Sequence, residues 1–142
     1  MKKSVIVGMA TASMFLMQFA HSATICDVKS ALGDARSNLV DMVASTDKAE
    51  QDALKAKVDA ATTALESATN GMLGDDNKDD DGKLTTFKKT WADFKNTRET
   101  EIVPAIYAGD NAKAKEIATG IQKERMGVMN GVVSDLGGDN CK

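Results

Sequence analysis

The stretch ICDVKSALGDARSNLVDM, residues 25–42, decides the fold. Its apolar positions Ile25, Val28, Leu32, Ala35, Leu39 and Met42 are separated by 3, 4, 3, 4 and 3 residues. At 3.6 residues per turn this spacing stacks the six side chains on one helical face, whereas a strand would scatter them over both faces. Charged and polar residues fill the intervening positions. A helix of this kind is stable only when its apolar stripe is buried against a neighbour.

The same signature recurs downstream. Leu54, Val58, Ala61, Leu65, Ala68 and Met72 repeat it, and Leu84, Phe87, Trp91 and Phe94 form a stripe that continues through Arg98 to Ile102 and Ala105. A looser series follows at Ile117, Ile121, Val128, Val132 and Leu136. Near-heptad spacing suits shallow crossing angles and bundle packing. The punctuation agrees. Ser45, Thr46 and Asp47 offer N-caps, with Glu50 placed to answer Asp47 in a capping box, and Asn70-Gly71 offers a stop. Gly109 ends a third helix, Asp110 or Asn111 caps a fourth, and Gly137-Gly138 closes it. The expected helices are about 24–44, 47–70, 84–108 and 111–136. Short links make the first and last pairs antiparallel. The fold class is therefore all-α, an antiparallel up-down-up-down four-helix bundle. Pro104, the one proline, is expected to kink the third helix or loosen its last turn. Gly120, Gly127 and Gly131 weaken the fourth helix, and glycines spaced by four can line a notch opposite large rings.

Residues 1–23 read as a cleaved signal peptide: Lys2 and Lys3, an uncharged and mostly apolar run from Ser4 to Phe19, then the small residues Ala20, Ser22 and Ala23. Ile25 before Cys26 argues against lipidation, where a small residue is needed. The bundle is then residues 24–142, with no later segment apolar for long enough to span a bilayer. Two of the 18 basic residues lie in the leader, so the bundle has 16 basic against 21 acidic residues, a formal charge of −5. Such a surface makes nucleic acid and anionic lipid poor partners. The expected location is the periplasm. The two cysteines, Cys26 and Cys141, bracket the bundle, and in an oxidising compartment they are expected to pair. The up-down-up-down topology brings both to the same end. A loop of that length contributes on the order of 4–5 kcal/mol on a chain-entropy estimate.

The segments resemble the four-helix-bundle sensory domain of bacterial methyl-accepting chemotaxis receptors. Asp34-Ala35-Arg36-Ser37-Asn38-Leu39 is similar to that family's Arg-x-Asn-Leu stretch, and Phe87-x3-Trp91-x2-Phe94-x3-Arg98 to its Trp-x-x-aromatic-x3-Arg pattern. Gly109-Asp110, followed by Ala112 and Ala114, resembles its turn into the fourth helix. The family's domains sit between two membrane helices and signal to a cytoplasmic rod, and neither is read in this chain. The resemblance implies a bundle that binds something small, not direct transmembrane signalling. Of the arginines that hold ligand in amino-acid receptors, only Arg36 has a counterpart here, so no amino-acid specificity carries over.

The remaining chemistry is limited. Haem has no Cys-x-x-Cys-His motif, and the only histidine, His21, falls in the leader. The same absence leaves hydrolytic triads without a base, and no enzyme is expected. Asn77, Asp79 and Asp81 fall at positions one, three and five of a calmodulin-like calcium loop, with Gly82 at six and Leu84 at eight. Lys88 stands where the bidentate glutamate belongs, so this is at best a low-affinity calcium site or simply a solvated acidic loop. Arg98 lies on the aromatic stripe. It either pairs with a neighbouring acid and stacks on Trp91, or joins Arg36 around a small anionic ligand. The leading reading is a soluble periplasmic binding or sensory bundle, with homodimerisation open and Arg36, Trp91 and Arg98 as candidate ligand contacts. The alternatives are an interaction bundle with no small ligand and a low-affinity calcium module.

Overall fold

The computed structural model describes residues 22–74 and 78–142, the side chains of residues 78 and 79 excepted. The leader reading up to residue 21 and Asn77 lie outside the described residues. All regular structure among the described residues is helical, in four antiparallel rods. The first is α1 (Ile25–Ala44) and the second α2 (Lys48–Leu73). The third comprises α3 (Lys78–Thr97), a π-helical turn (Arg98–Ile102) and α4 (Val103–Tyr107). The fourth comprises α5 (Asn111–Thr119) and α6 (Ile121–Asp135).

Caps fix the rod ends. Thr24 and Asp27 close a reciprocal capping box at the start of α1, satisfying donors that the first turn leaves orphaned. Asp47 accepts a 2.8 Å bond from the Glu50 amide at the start of α2. The Glu50 carboxylate does not complete that box; it accepts instead from the Ser45 hydroxyl. The tight turn between α1 and α2 is buttressed from afar. Asn111 Nδ2 donates to the carbonyls of Val43 and Ser45, at 2.7 and 2.8 Å. The third rod ends in a Schellman motif. Gly109 sits at φ +78°, its amide bonds Ile106 O, and the Asp110 amide reaches back to Ala105 O. Asp110, not Asn111, then caps α5.

The end of the second helix, the start of the third and the phase of the fourth depart from the sequence reading. Asn70-Gly71 does not stop the second helix, which runs to Leu73, and α3 starts at Lys78 rather than near 84. Acidic residues in a first turn suit the positive end of the helix dipole, so the run at 79–81 begins a helix. Pro104 goes with a loosened turn near the end of the third rod, the second of the two outcomes expected of it. The chain widens ahead of it into a π turn, with the Val103 amide bonding Arg98 O, and Pro104 becomes the second residue of α4, where its missing N–H costs no bond. The fourth helix breaks at Gly120 (φ −90°, ψ −113°). That break turns α6 about its axis. Ile121 and Val128, expected inward, are 45% and 48% exposed, while Met126, Met129, Val132 and Val133 are buried.

The other stripes face inward as spaced. Val28, Leu32, Ala35, Leu39 and Met42 meet Leu54, Val58, Ala61, Leu65 and Ala68, and the alanines let α1 and α2 approach closely. Phe87, Trp91, Phe94, Ile102 and Ile106 complete the core from the third rod. The fourth rod lies against both the first and the third; the seam between α2 and α3 is the least closely packed. Cys26 and Cys141 form a disulfide, Cα–Cα 5.5 Å, that joins the first rod to the end of the fourth. Lys29 Nζ donates to Gly138 O at 2.8 Å beside it. No helix among the described residues is long and apolar enough to cross a membrane.

Candidate functional site

Two seams of the bundle open into cavities. The first, about 440 Å3, lies between α2 and α3 and includes Glu66, Phe87, Lys88, Trp91, Lys95 and Glu99. Its charges are all engaged within the protein. Glu66 accepts from Trp91 Nε1 at 3.1 Å and from Lys95 Nζ at 2.7 Å. Lys88 donates to Asn70, and Glu99 holds both Arg98 and Lys55. Burial pushes the Glu66 carboxyl up, but the bonds from Lys95 and Trp91 and the charges of Lys95 and Arg98 outweigh it and leave the pKa below 4.5.

Arg98 sits behind this seam, 1% exposed. Its Nε donates to Glu99 at 2.7 Å and its Nη1 to Thr62 Oγ1 at 3.0 Å, and its guanidinium lies 5.6 Å from the centre of the Trp91 ring. A buried arginine needs such partners, and with them Arg98 ties the third rod to the second at the start of the π turn.

The second cavity, about 620 Å3, runs between α1 and the fourth rod. Leu39, Val43, Phe94, Ala118 and Met126 supply its apolar surface. Arg36 from α1, Lys115 from α5 and Lys123 from α6 stand around it, and no acidic side chain lines it. All three cations are exposed, and none makes an ion pair or side-chain hydrogen bond among the described residues. Gln122, 2% exposed, closes the floor. Its Nε2 donates to Phe94 O at 2.8 Å, and its Oε1 accepts from Arg125 Nη1, which also reaches Thr97 Oγ1. This polar clamp holds the fourth rod to the third just ahead of the π turn.

The three residues expected to share a ligand are therefore divided. Trp91 and Arg98 adjoin the seam between α2 and α3; Arg36 belongs to the seam between α1 and the fourth rod. The stretch read as a calcium loop has helical backbone from Lys78 onward, not the irregular loop that such a site requires. Asn77 and the side chain of Asp79 lie outside the described residues. Asp81 is half-buried with its Oδ1 unbonded among the described residues. No cluster of three or more His, Cys, Asp or Glu placed to hold a metal occurs among the described residues.

Against known proteins, residues 11–141 match the family model described as a four helix bundle sensory module for signal transduction. The chain belongs to this family. No curated protein matches it, and no solved structure does. In this sensory module the seam between α1 and the fourth rod combines unpaired charge with accessible apolar surface. The sequence reading found Arg36 there but not Lys115, Lys123, Phe94 or Gln122 as its companions. Part of the signal was present: Lys115 with Thr119 in α5, and Lys123 with Gly127 in α6, each lie one turn apart, and all four line one edge of the fourth rod. Gly127 is the notch in that edge, with nothing within 4 Å of where a Cβ would stand.

Proposed function

We propose that this protein is an exported, non-catalytic sensory module that takes a small molecule in the groove between α1 and the fourth rod. The observation that carries the reading is the set of cations without an ion pair among the described residues, Arg36, Lys115 and Lys123, around an apolar cavity of about 620 Å3. That volume falls within the range of small-molecule sites, roughly 300–1,000 Å3. Membership of a sensory-module family supports it. A disulfide between the chain's only two cysteines supports an oxidising compartment, for which the periplasm is our assignment.

Native mass spectrometry of the gently purified protein, compared with its denatured mass, tests this reading. A small molecule released on denaturation, and lost when Gly127 is replaced by leucine, supports it. A bare protein that binds none of a broad panel of small molecules overturns it in favour of an interaction bundle. The exposed Val40 and Val128, at 54% and 48%, would be that bundle's first contact residues to test.

A further inference from the structure

Resting on the exported reading, we propose that the chain is processed between Ser22 and Ala23, not between Ala23 and Thr24, and that Ala23 is the first residue of the mature bundle and part of its packing. The residue sizes come first. Signal peptidase needs small side chains one and three positions before the bond it cuts. A cut after Ser22 puts Ser22 and Ala20 at those positions. A cut after Ala23 puts His21 at the second of them, and its ring is too large. The local backbone suits a peptidase, which takes its substrate extended. Residues 22–24 lie outside any helix, Thr24 is extended at φ −124° and ψ 164°, and its capping box starts α1 afresh at Ile25.

The bundle has a seat for the residue that such a cut retains. Ala23 is partly buried and packs against the core. A Cβ at Gly71 would stand 2.8 Å from the Ala23 Cβ, closer than two unbonded carbons approach. The bare Gly71 backbone therefore receives the Ala23 methyl. Gly71 lies within α2, where glycine is a poor helix former, and this contact is a reason for its presence. The contact fastens the start of α1 to the last turns of α2, at the end of the bundle that the Cys26–Cys141 bond closes. A cut one residue later would strip the methyl from its seat.

Intact mass and N-terminal sequencing of the exported, disulfide-intact protein test the cut. A chain beginning at Ala23 is expected. A chain beginning at Thr24 overturns the proposal and leaves the exported reading standing, whereas a chain that keeps its leader overturns both. Ser22→Tyr puts a bulky ring directly before the proposed bond and is expected to slow processing at least about tenfold in a pulse-chase. A cut after Ala23 would tolerate that ring, so processing at the wild-type rate also overturns the proposal. The seat is read by urea unfolding of variants whose N-terminus has been checked by mass. Gly71→Ala is expected to lower the midpoint although alanine is the better helix former, and Ala23→Gly in the same chain to restore it. A midpoint that Gly71→Ala alone leaves unchanged or raises shows that Ala23 has no part in the packing.

Discussion

Trp91 and Phe94 stack with ring centroids 5.5 Å apart and planes 13° from parallel, and each lines a different seam. Trp91 borders the cavity between α2 and α3; Phe94 borders the groove that holds Arg36. The pair is a wall shared by both openings. Phe94 is 2% exposed, so Phe94→Ala is expected to cost about 3–5 kcal/mol in urea unfolding. It should also move the emission of Trp91, the only tryptophan, to longer wavelength as water from the groove reaches the indole. Unchanged emission would mean the ring wall is closed by other residues.

Glu66 gives the fold an acid limit. Its folded-state pKa lies below the ordinary 4.5 because Lys95 and Trp91 donate to it and Lys95 and Arg98 supply positive charge, against the upward push of burial. A depressed carboxyl pKa stabilises fully above the unfolded value and loses that contribution as pH falls through the folded value. The melting temperature is expected to fall as pH drops below about 4.5 in the wild type, and to fall less steeply in Glu66→Gln. Parallel curves for the two proteins would assign the acid limit to other carboxylates.

Pro104 tests the π turn. In a regular helix interior, replacing proline by alanine would recover about 3 kcal/mol. Here the π turn precedes it and no N–H is required at its position, so Pro104→Ala is expected to change stability by less than about 1 kcal/mol. A gain near the larger figure, measured by urea unfolding, would show that the widened turn is imposed by the proline at a cost.

Two glycines should respond oppositely. A Cβ at Gly127 meets nothing within 4 Å, and Gly127→Ala is expected to stabilise by about 1 kcal/mol through helix propensity. A Cβ at Gly138 would stand 2.7 Å from Val133 O, which is backbone and cannot swing away. Gly138→Ala is expected to destabilise by about 1–3 kcal/mol as the closing turn shifts. Thermal melts of the two variants should bracket the wild type.

The disulfide spans 115 residues, so Cys26→Ser combined with Cys141→Ser is expected to cost on the order of 4 kcal/mol, read as a lowered urea midpoint. The double variant avoids an odd thiol. A loss below about 1 kcal/mol would mean that the unfolded chain already holds its ends close.

The core was legible because helical spacing is a local property. Val28, Leu32, Leu39 and Met42, or Leu54, Val58 and Leu65, occupy the buried face whatever the neighbouring rods do. Gly109 and Asp110 were legible because a left-handed cap and a side-chain cap are local too. The fourth rod was less so. A continuous period carried through Gly120 puts Ile121 and Val128 inside, but the break there resets the phase and buries Met126 and Met129 instead. The site was legible only in part. Arg36 and Arg98 sit on different helices, and whether two such residues face one seam depends on how each rod is rotated against its neighbours. Arg98 turned toward Thr62, away from the seam of Arg36, and no spacing rule within one helix records that choice.

The bond between Cys26 and Cys141 also restricts how the bundle can move. Two rods tied covalently at one end cannot slide lengthwise past each other there, so a ligand between them has only leverage to work with. It can pry the untied stretches apart or draw them together about the clasp, as a hinge near its pin opens least. Gly120, where the fourth rod breaks between Lys115 and Lys123, is the natural elbow for that swing. Any message this bundle carries would then be written as an angle rather than a stroke.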